Sequence, residues 1–290
     1  MLAEVTRGRR FVAHRSAVVG ALLVAMLIGV AVLGPHLVKD PIAIDLDHGL
    51  STLGAPLGPS ADAPLGTDHL GRDVWARVVS GAGTSLTIAT LATLLALVIG
   101  LAIGLIAGYA GGRIDNLLMR LVDLVLSFPF LLLAILLAAL LREADLASSA
   151  APVILTLGLV SWTTMARVIR GKAMTIVRSD FVMAARTMGA RPARIVLRHV
   201  LPNVTGIVIV VGTLAFAQNL LAESALSYLG LGPPAPAASW GRMLYDGKAY
   251  YRTSPHLILA PGLAILIAVV AFNLLGEGLR DVLDPRARRR

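Results

Sequence analysis

The segment Met183-Ala-Ala-Arg-Thr-Met-Gly189, followed by Ala190-Arg-Pro-Ala-Arg-Ile-Val-Leu-Arg-His-Val-Leu-Pro-Asn203, is basic and broken by turn-forming residues, and it lies between two apolar stretches. The rest of the chain is mostly apolar: 57% of its 290 residues are hydrophobic and only 15% are charged. So little charge predicts an integral membrane protein rather than a soluble domain. A structured basic segment in such a chain suggests a docking site for something outside the membrane.

Six apolar segments are long enough to cross a bilayer, which takes about 20 residues of helix. The first run exceeds the roughly 7–15 apolar residues of a cleaved signal peptide, so it is interpreted as an anchor. We therefore predict an all-α integral membrane protein with six transmembrane helices. Their spans are Ala17–Val38, Leu86–Tyr109, Leu121–Leu141, Pro152–Ile169, Val204–Leu221 and Leu257–Leu275. The chain has no cysteine, which excludes disulfides and thiolate metal sites.

The basic residues are distributed asymmetrically across these spans. If the N-terminus is inside, 19 of the 26 Lys and Arg residues are inside and 7 are outside. The positive-inside rule then places both termini in the cytoplasm, in a multi-pass protein of the bacterial cytoplasmic membrane surrounded by lipid. Because several loops share the excess charge, it does not indicate a nucleic-acid partner.

This sidedness divides the chain into successive parts. They are a cytoplasmic N-terminal segment 1–16, a first transmembrane helix 17–38, an extracytoplasmic segment 39–85, a five-helix core 86–276 that includes a cytoplasmic loop 170–203, and a cytoplasmic tail 277–290.

The end of the extracytoplasmic segment has charges at helical spacing. Asp68/Arg72 and Asp73/Arg77 are pairs four residues apart with the acid first, the favourable order in a helix. They predict a short amphipathic helix on the outer membrane surface, which serves as an interfacial anchor or contacts an external partner. His69 has no metal-like spacing to other ligands and is interpreted as a surface residue.

Small residues recur every fourth position in the second span and predict close helix packing there. They are Ala92, Ala96, Gly100, Gly104 and Gly108. In the third span, Pro129 predicts a kink.

Ionisable side chains are almost absent from the spans. Arg120 and Asp123 lie at the mouth of the third span and Glu223 at the exit of the fifth. Ion-coupled transporters usually carry such groups at mid-membrane depth. The pattern therefore disfavours a transporter that powers itself.

The loop 170–203 predicts two short helices. Asp180 is a good N-cap, and Gly189 fits the left-handed position that ends a helix. Pro192 fits the first turn of a second helix, and Pro202 fits the start of the fifth span. One face of the first helix carries Phe181, Ala184, Ala185 and Met188. Taken on its residues alone, the loop is either a docking knob or a basic loop that holds topology.

The loop resembles the EAA loop of the membrane subunits of bacterial ABC importers. That pattern is Glu-Ala-Ala, three residues, Gly, nine residues, then Ile-x-Leu-Pro. The matching positions are Ala184, Ala185, Gly189, Leu201 and Pro202. Met183 stands in place of the Glu and His199 in place of the Ile. With Asp180 as the cap, a Glu at position 183 would complete a capping box, whose loss costs up to about 1 kcal/mol.

Six further blocks resemble the C-type permease of the dipeptide, oligopeptide and nickel importers. They begin at Leu65, Gly108, Met119, Glu223, Trp240 and Asn273, the last running to Arg286. The resemblance extends in order over nearly the whole chain from Arg15 and implies a type I ABC importer-like fold. No Gly-x4-Gly-Lys-Ser/Thr pattern occurs, so the chain cannot itself hold ATP phosphates.

The resemblance also implies partners and roles. The partners are a B-type permease in a heterodimer, two ABC ATPase subunits that bind ATP and magnesium, and an extracytoplasmic solute-binding protein. The chain itself has no catalytic residue, metal site or cofactor. Ala184, Ala185 and Gly189 would seat the knob on an ATPase, Asp180 would hold its start, and Arg186 and Arg191 would pair with acidic ATPase residues. Met183 and Pro202 complete the coupling set.

The implied function is ATP-driven import of oligopeptides or dipeptides. Three alternatives stay open: a permease for nickel or another small solute, a single-chain ATP-independent transporter or channel, and a membrane anchor or sensor that recruits a soluble partner. The residues do not identify the solute or the residues that line its path.

Overall fold

The structure, a computed structural model, describes residues 14–143 and 149–283. Over those residues it consists of helices, turns and two isolated β-bridges, without a β-strand. The predicted terminal segments fall largely on residues 1–13 and 284–290, which lie outside the described residues. So does part of the predicted outer loop, residues 144–148.

The described residues form ten α-helices with short π- and 3-10-helical extensions. The α-helices are α1 Arg15–Leu33, α2 Val74–Ala110, α3 Gly112–Leu126, α4 Phe130–Glu143, α5 Ala151–Val177, α6 Asp180–Thr187, α7 Pro192–Ile195, α8 Leu201–Leu226, α9 Trp240–Gly247 and α10 His256–Leu283. The extensions are Gly34–His36, Val196–Val200, Ser227–Leu231 and Lys248–Tyr250.

Five helices of the described chain are long and apolar enough to cross a membrane. They are α1, α2, α5, α10 and the continuous run Pro192–Leu231 that joins α7 to α8. Each overlaps one of the predicted spans. The multi-pass architecture expected from hydropathy is therefore confirmed, with the third span as the exception.

The third predicted span, Leu121–Leu141, is not one kinked helix. It is divided between α3 and α4, whose axes differ by 87°. Residues 127–129 separate them, and Pro129 has no N–H to continue the helical ladder. The kink predicted at Pro129 is confirmed, and at 87° it divides the span into two helices. The 14 residues of α4 extend only about 21 Å, too short to cross a bilayer alone.

The small-residue face of α2 packs against α5, as predicted. A Cβ built at Gly100 would lie 2.7 Å from the Cβ of Met165, and one at Gly104 would lie 2.7 Å from the carbonyl oxygen of Ala166. At Gly108 the nearest atom would be the Cβ of Ala173, also at 2.7 Å. The two backbones approach so closely that any side chain at these glycines would collide.

A neutral polar bridge joins three of the long helices. The Asn219 side-chain amide on α8 donates to the hydroxyl of Thr93 on α2 at 2.9 Å, and the Ser161 hydroxyl on α5 donates to Asn219 Oδ1 at 2.6 Å. Sequence reasoning searched the spans for charged groups only and missed this bridge. Such interhelical hydrogen bonds contribute about 0.6 kcal/mol on average within a membrane.

The predicted amphipathic surface helix around residues 68–78 is absent. Residues 68–72 form a turn, and α2 begins at Val74 as an unbroken extension of the second span. Asp73 is its N-cap and accepts from the N–H of Ala76 at 3.2 Å. Asp68 and Arg72 do pair, with 2.8 Å between Arg72 Nε and Asp68 Oδ2, but across a turn rather than along a helix.

The first and last helices run antiparallel. Gly20 of α1 packs against the backbone of Leu275, and Ala17 packs against Gly278. Leu283, the last described residue, lies beside Gly206 near the start of α8. Both described ends of the chain are therefore at the end of the bundle from which α8 starts.

The opposite end of the bundle is closed by α9, which folds back against α2 and α8. Its first residue, Trp240, donates its backbone N–H to Ser85 Oγ at 3.0 Å and its indole N–H to the Val78 carbonyl at 2.8 Å. Beneath it lies Glu223, which is fully buried. Ser227 donates to Glu223 Oε1 at 2.8 Å, and the hydroxyls of three further buried serines interact with the same carboxyl: Ser85, Ser224 and Ser239.

Replacing Glu223 by leucine is expected to destabilise the folded protein by about 1–3 kcal/mol, because buried hydroxyls lose their acceptor. Glu223→Gln keeps one acceptor oxygen and should cost less. Glu277→Leu, at an exposed position of α10, is the matched control and should change stability by no more than about 0.5 kcal/mol. Thermal unfolding in detergent measures all three, and an unchanged midpoint in Glu223→Leu would contradict the assignment.

Candidate functional site

The basic loop forms a compact projection, the knob, made of α6, α7 and the turn between them (residues 179–195). The first helix begins one residue earlier than predicted. Ser179 is its N-cap, with extended backbone angles, and its carbonyl accepts from the N–H groups of Val182 and Met183 at 3.1 Å. Asp180 is therefore the first helical residue and not the cap.

This shift removes the capping-box interpretation of position 183. With Ser179 as the cap, the third helical position is Val182, and Met183 lies one residue beyond it. The backbone N–H of Ser179 already donates to the Ile176 carbonyl at 3.0 Å. A glutamate at 183 would have no cap N–H to satisfy, so the capping penalty assigned to Met183 does not apply.

The turn that ends α6 depends on Gly189, as predicted. Its φ is +79°, in the left-handed region that side chains disfavour. The N–H of Gly189 donates to the Arg186 carbonyl at 2.9 Å, and the N–H of Ala190 donates to the Ala185 carbonyl at 3.0 Å. These two bonds form a Schellman motif, which satisfies the last carbonyls of the helix.

The two alanines of the motif differ in exposure. Ala185 is buried with Val182 against the body of the protein, whereas Ala184 is exposed. Phe181 and Met183 are also exposed, at 48% and 58% of their surface. The expectation that Ala184 and Ala185 lie together on one contact face therefore fails, since consecutive helical residues are about 100° apart.

The two candidate arginines also differ in their surroundings. Arg186 stacks its guanidinium over the ring of Tyr109 at the end of α2, 5.2 Å from the ring centre. Arg191 is exposed at the turn and is the N-cap residue of α7. Arg186 thus braces the knob, and Arg191 is free to meet a partner.

The second arm of the knob is continuous with the long helix α8. Pro192 is in the first turn of α7, as predicted. A π-helical turn, Val196–Val200, follows, in which the N–H of Leu201 donates to the Val196 carbonyl. Pro202 lies in the first turn of α8, as predicted, and the π turn joins that helix to α7 without a break. A π turn shifts the hydrogen-bond ladder by one residue, which accommodates a group that cannot donate.

Two ion pairs brace α3 against α5 at the same end of the bundle. Arg170 makes a two-pronged pair with Asp115, its Nη2 donating to Oδ2 at 2.6 Å. Arg167 donates to Asp123 at 2.5 Å. Sequence reasoning counted both arginines only as topology charges. The 55-residue separation of Arg170 and Asp115 left no local signal by which to pair them.

Among the described residues, no group of three or more His, Asp or Glu residues could hold a metal ion. The knob is a protruding corner with exposed apolar, small and basic side chains. Its second arm is continuous with one long helix. Such a corner suits docking to another protein.

The chain is similar to known transport proteins over nearly its whole length. A family model described as binding-protein-dependent transport system inner membrane component matches residues 100–289, and one described as the N-terminal TM domain of oligopeptide transport permease C matches residues 7–56. The oligopeptide transport system permease protein OppC of Escherichia coli (strain K12) is 40% identical over 280 residues, which cover 97% of this chain and 90% of that protein.

Two further comparisons agree with this one. The dipeptide transport system permease protein DppC of Bacillus subtilis (strain 168) is 39% identical, over 97% of this chain and 85% of that protein. Among solved structures, an inward-facing form of the MetNI methionine ABC transporter matches 73% of this chain and 96% of its own, with a TM-score of 0.56 and 23% identity. The last match shows the shared fold, that of an ABC importer membrane subunit.

Proposed function

Because the chain belongs to the family of binding-protein-dependent transport system inner membrane components, we propose that it is the C-type permease of an ATP-driven importer of oligopeptides or dipeptides. The observation that carries the proposal is the similarity to oligopeptide and dipeptide permeases, at 36–40% identity over most of the chain. The exposed knob supports it, since a membrane subunit without its own ATP site needs a surface on which an ATPase subunit can dock.

In this proposal the chain pairs with a B-type permease, and two ATPase subunits dock on the knob. Those subunits bind ATP and magnesium, and a solute-binding protein delivers peptide at the opposite end of the bundle. The knob end is cytoplasmic, in line with the excess of Lys and Arg in segments predicted to be inside. The membrane is the bacterial cytoplasmic membrane.

The knob would convert ATPase movement into movement of the bundle. When the ATPases close, they displace the corner formed by Ala184, Gly189 and Arg191. Because α7 continues into α8 without a break, that displacement passes directly to a helix which reaches the opposite end. The permease pair would then switch between inward- and outward-facing packings.

Purification of the tagged chain from its native membranes tests the assembly. We expect a second permease and two ATPase copies to co-purify. In proteoliposomes the complex should take up a labelled peptide only with ATP inside and the binding protein outside. Uptake by the chain alone, without ATPases, would indicate an ATP-independent transporter. Uptake of nickel but not peptide would redirect the substrate assignment.

A further inference from the structure

A small cavity lies at the end of the bundle opposite the knob, between the turn that precedes α2 and the helices α9 and α10. Its volume is about 10 Å³. A space of that size holds one water-sized ligand and is too small for a phosphate, a sulfate or a carboxylate group. Its lining includes His69, Val74, Arg77 and Met243.

Arg77 lines this cavity and carries an unsatisfied donor. Its side chain is only 2% exposed. Its Nε faces Asp68 Oδ2 at 3.4 Å, and its Nη2 donates to Asp246 Oδ2 at 3.3 Å. The third nitrogen, Nη1, is buried and has no hydrogen-bond partner in the part of the chain that the structure describes. A buried guanidinium nitrogen without an acceptor is costly, so an acceptor is expected beside it.

His69 also lines the cavity, and its ring carries a second unpartnered nitrogen. Its Nδ1 has no hydrogen-bond partner among the described residues. The ring stacks on Tyr250 with 6.1 Å between ring centres, which fixes its orientation. Two residues that line one water-sized space thus each carry an unpartnered buried nitrogen. His69 is half-buried rather than an ordinary surface residue.

The charges around the cavity do not balance. Three guanidiniums meet two carboxylates in one contact network formed by Arg72, Arg77, Arg242, Asp68 and Asp246. Both carboxylates line the cavity, but each already faces at least two guanidiniums. The excess is one positive charge.

The nearest acid along the chain, Asp73, does not correct this imbalance. Its carboxylate accepts from the N–H of Ala76 and is thus directed at the start of α2. A neutral water would satisfy the hydrogen bond of Arg77 Nη1 but leave the charge, whereas a monovalent anion would satisfy both.

We propose that this cavity binds one halide-sized monovalent anion, chloride under physiological conditions. Arg77 Nη1 is its principal donor, and His69 Nδ1 donates to it when that nitrogen carries the proton. The bound ion closes the network that ties the turn before α2 to α9. It therefore stabilises this end of the bundle independently of which solute is transported.

Bromide, which diffracts X-rays anomalously, is the probe. Crystals of the transporter complex in bromide should show an anomalous peak beside Arg77 Nη1. The melting temperature of the same complex should be about 2–4 °C higher in chloride or bromide than in gluconate at equal ionic strength. Sulfate should behave like gluconate, because it does not fit. Equal melting in all four salts, or a water without anomalous signal at the site, would overturn the proposal.

Three variants distinguish the effect of anion binding from a general change in the stability of the ion-pair network. Arg77→Gln should abolish the chloride-dependent shift. That variant also loses two ion pairs, so Val74→Ile is a second test. The added methyl group narrows the cavity while every charge is kept, and it should abolish the shift as well. Arg142→Gln is the matched control. Its guanidinium is satisfied by the carbonyls of Gly230 and Gly232, so the shift should persist. A shift that survives in Val74→Ile with the bromide peak in place would contradict the assignment of the cavity.

Discussion

Gly189→Trp is expected to reduce ATP-driven peptide uptake about tenfold or more, while membrane insertion and ATP hydrolysis persist. Position 189 has a φ of +79°, which costs a residue with a side chain about 1–2 kcal/mol. Among the described residues, none except the two chain neighbours comes within 4 Å of a Cβ built there, so the indole would project from the corner proposed to enter the ATPase. The backbone of the knob would be strained, and the knob would be too large for the docking surface proposed on the ATPase.

Uptake of labelled peptide and release of phosphate, measured in the same proteoliposomes, test this prediction. Gly189→Asn is the matched control, because asparagine tolerates the left-handed conformation. It should retain most of the uptake. Wild-type uptake by the tryptophan variant would show that this corner does not couple hydrolysis to transport.

The double variant Gly100→Leu/Gly104→Leu is expected to prevent stable folding. A single overpacked core position commonly costs about 1–3 kcal/mol, and here the new side chains would meet backbone atoms of α5 at 2.7–2.9 Å. Backbone of a packed helix cannot give way as a flexible side chain can. The two long helices would have to separate along their main contact.

The yield of monodisperse protein after extraction, together with its melting temperature, measures this effect. Gly262→Leu is the matched control on α10, where a built Cβ meets nothing within 4 Å. It should behave like the wild type. A double variant that is as stable as this control would contradict the close packing of α2 on α5.

Much of the fold could be predicted because a membrane restricts which backbone structures can cross it. Long apolar runs must become helices there, since every backbone group has to be satisfied within the segment. The spans around Leu86–Tyr109 and Pro152–Ile169 were recognised on that ground, and Gly189 was recognised because few residues other than glycine adopt its conformation. Each of these features is encoded within one short stretch of sequence.

The features that sequence analysis missed depend on distant residues. Although Pro129 marks the break between α3 and α4, the position of α3 also depends on an ion pair between Asp115 and Arg170, 55 positions away. The inward orientation of Ala185 is set by the body against which the knob packs. Arg77 was assigned to a helical pair with Asp73, but its partners are Asp68 and Asp246, the latter 169 positions along the chain.

The helical run that begins at Pro192 has a mechanical consequence. It continues to a kink at Gly230, where φ is +89°, and at about 1.5 Å per residue it extends roughly 55 Å, longer than a bilayer is thick. A rod of that length works as a lever: a tilt of about 5° at the knob would sweep its far end through about 5 Å. A small displacement at one surface would therefore produce a larger displacement at the other, and the length of this helix would set the ratio between them.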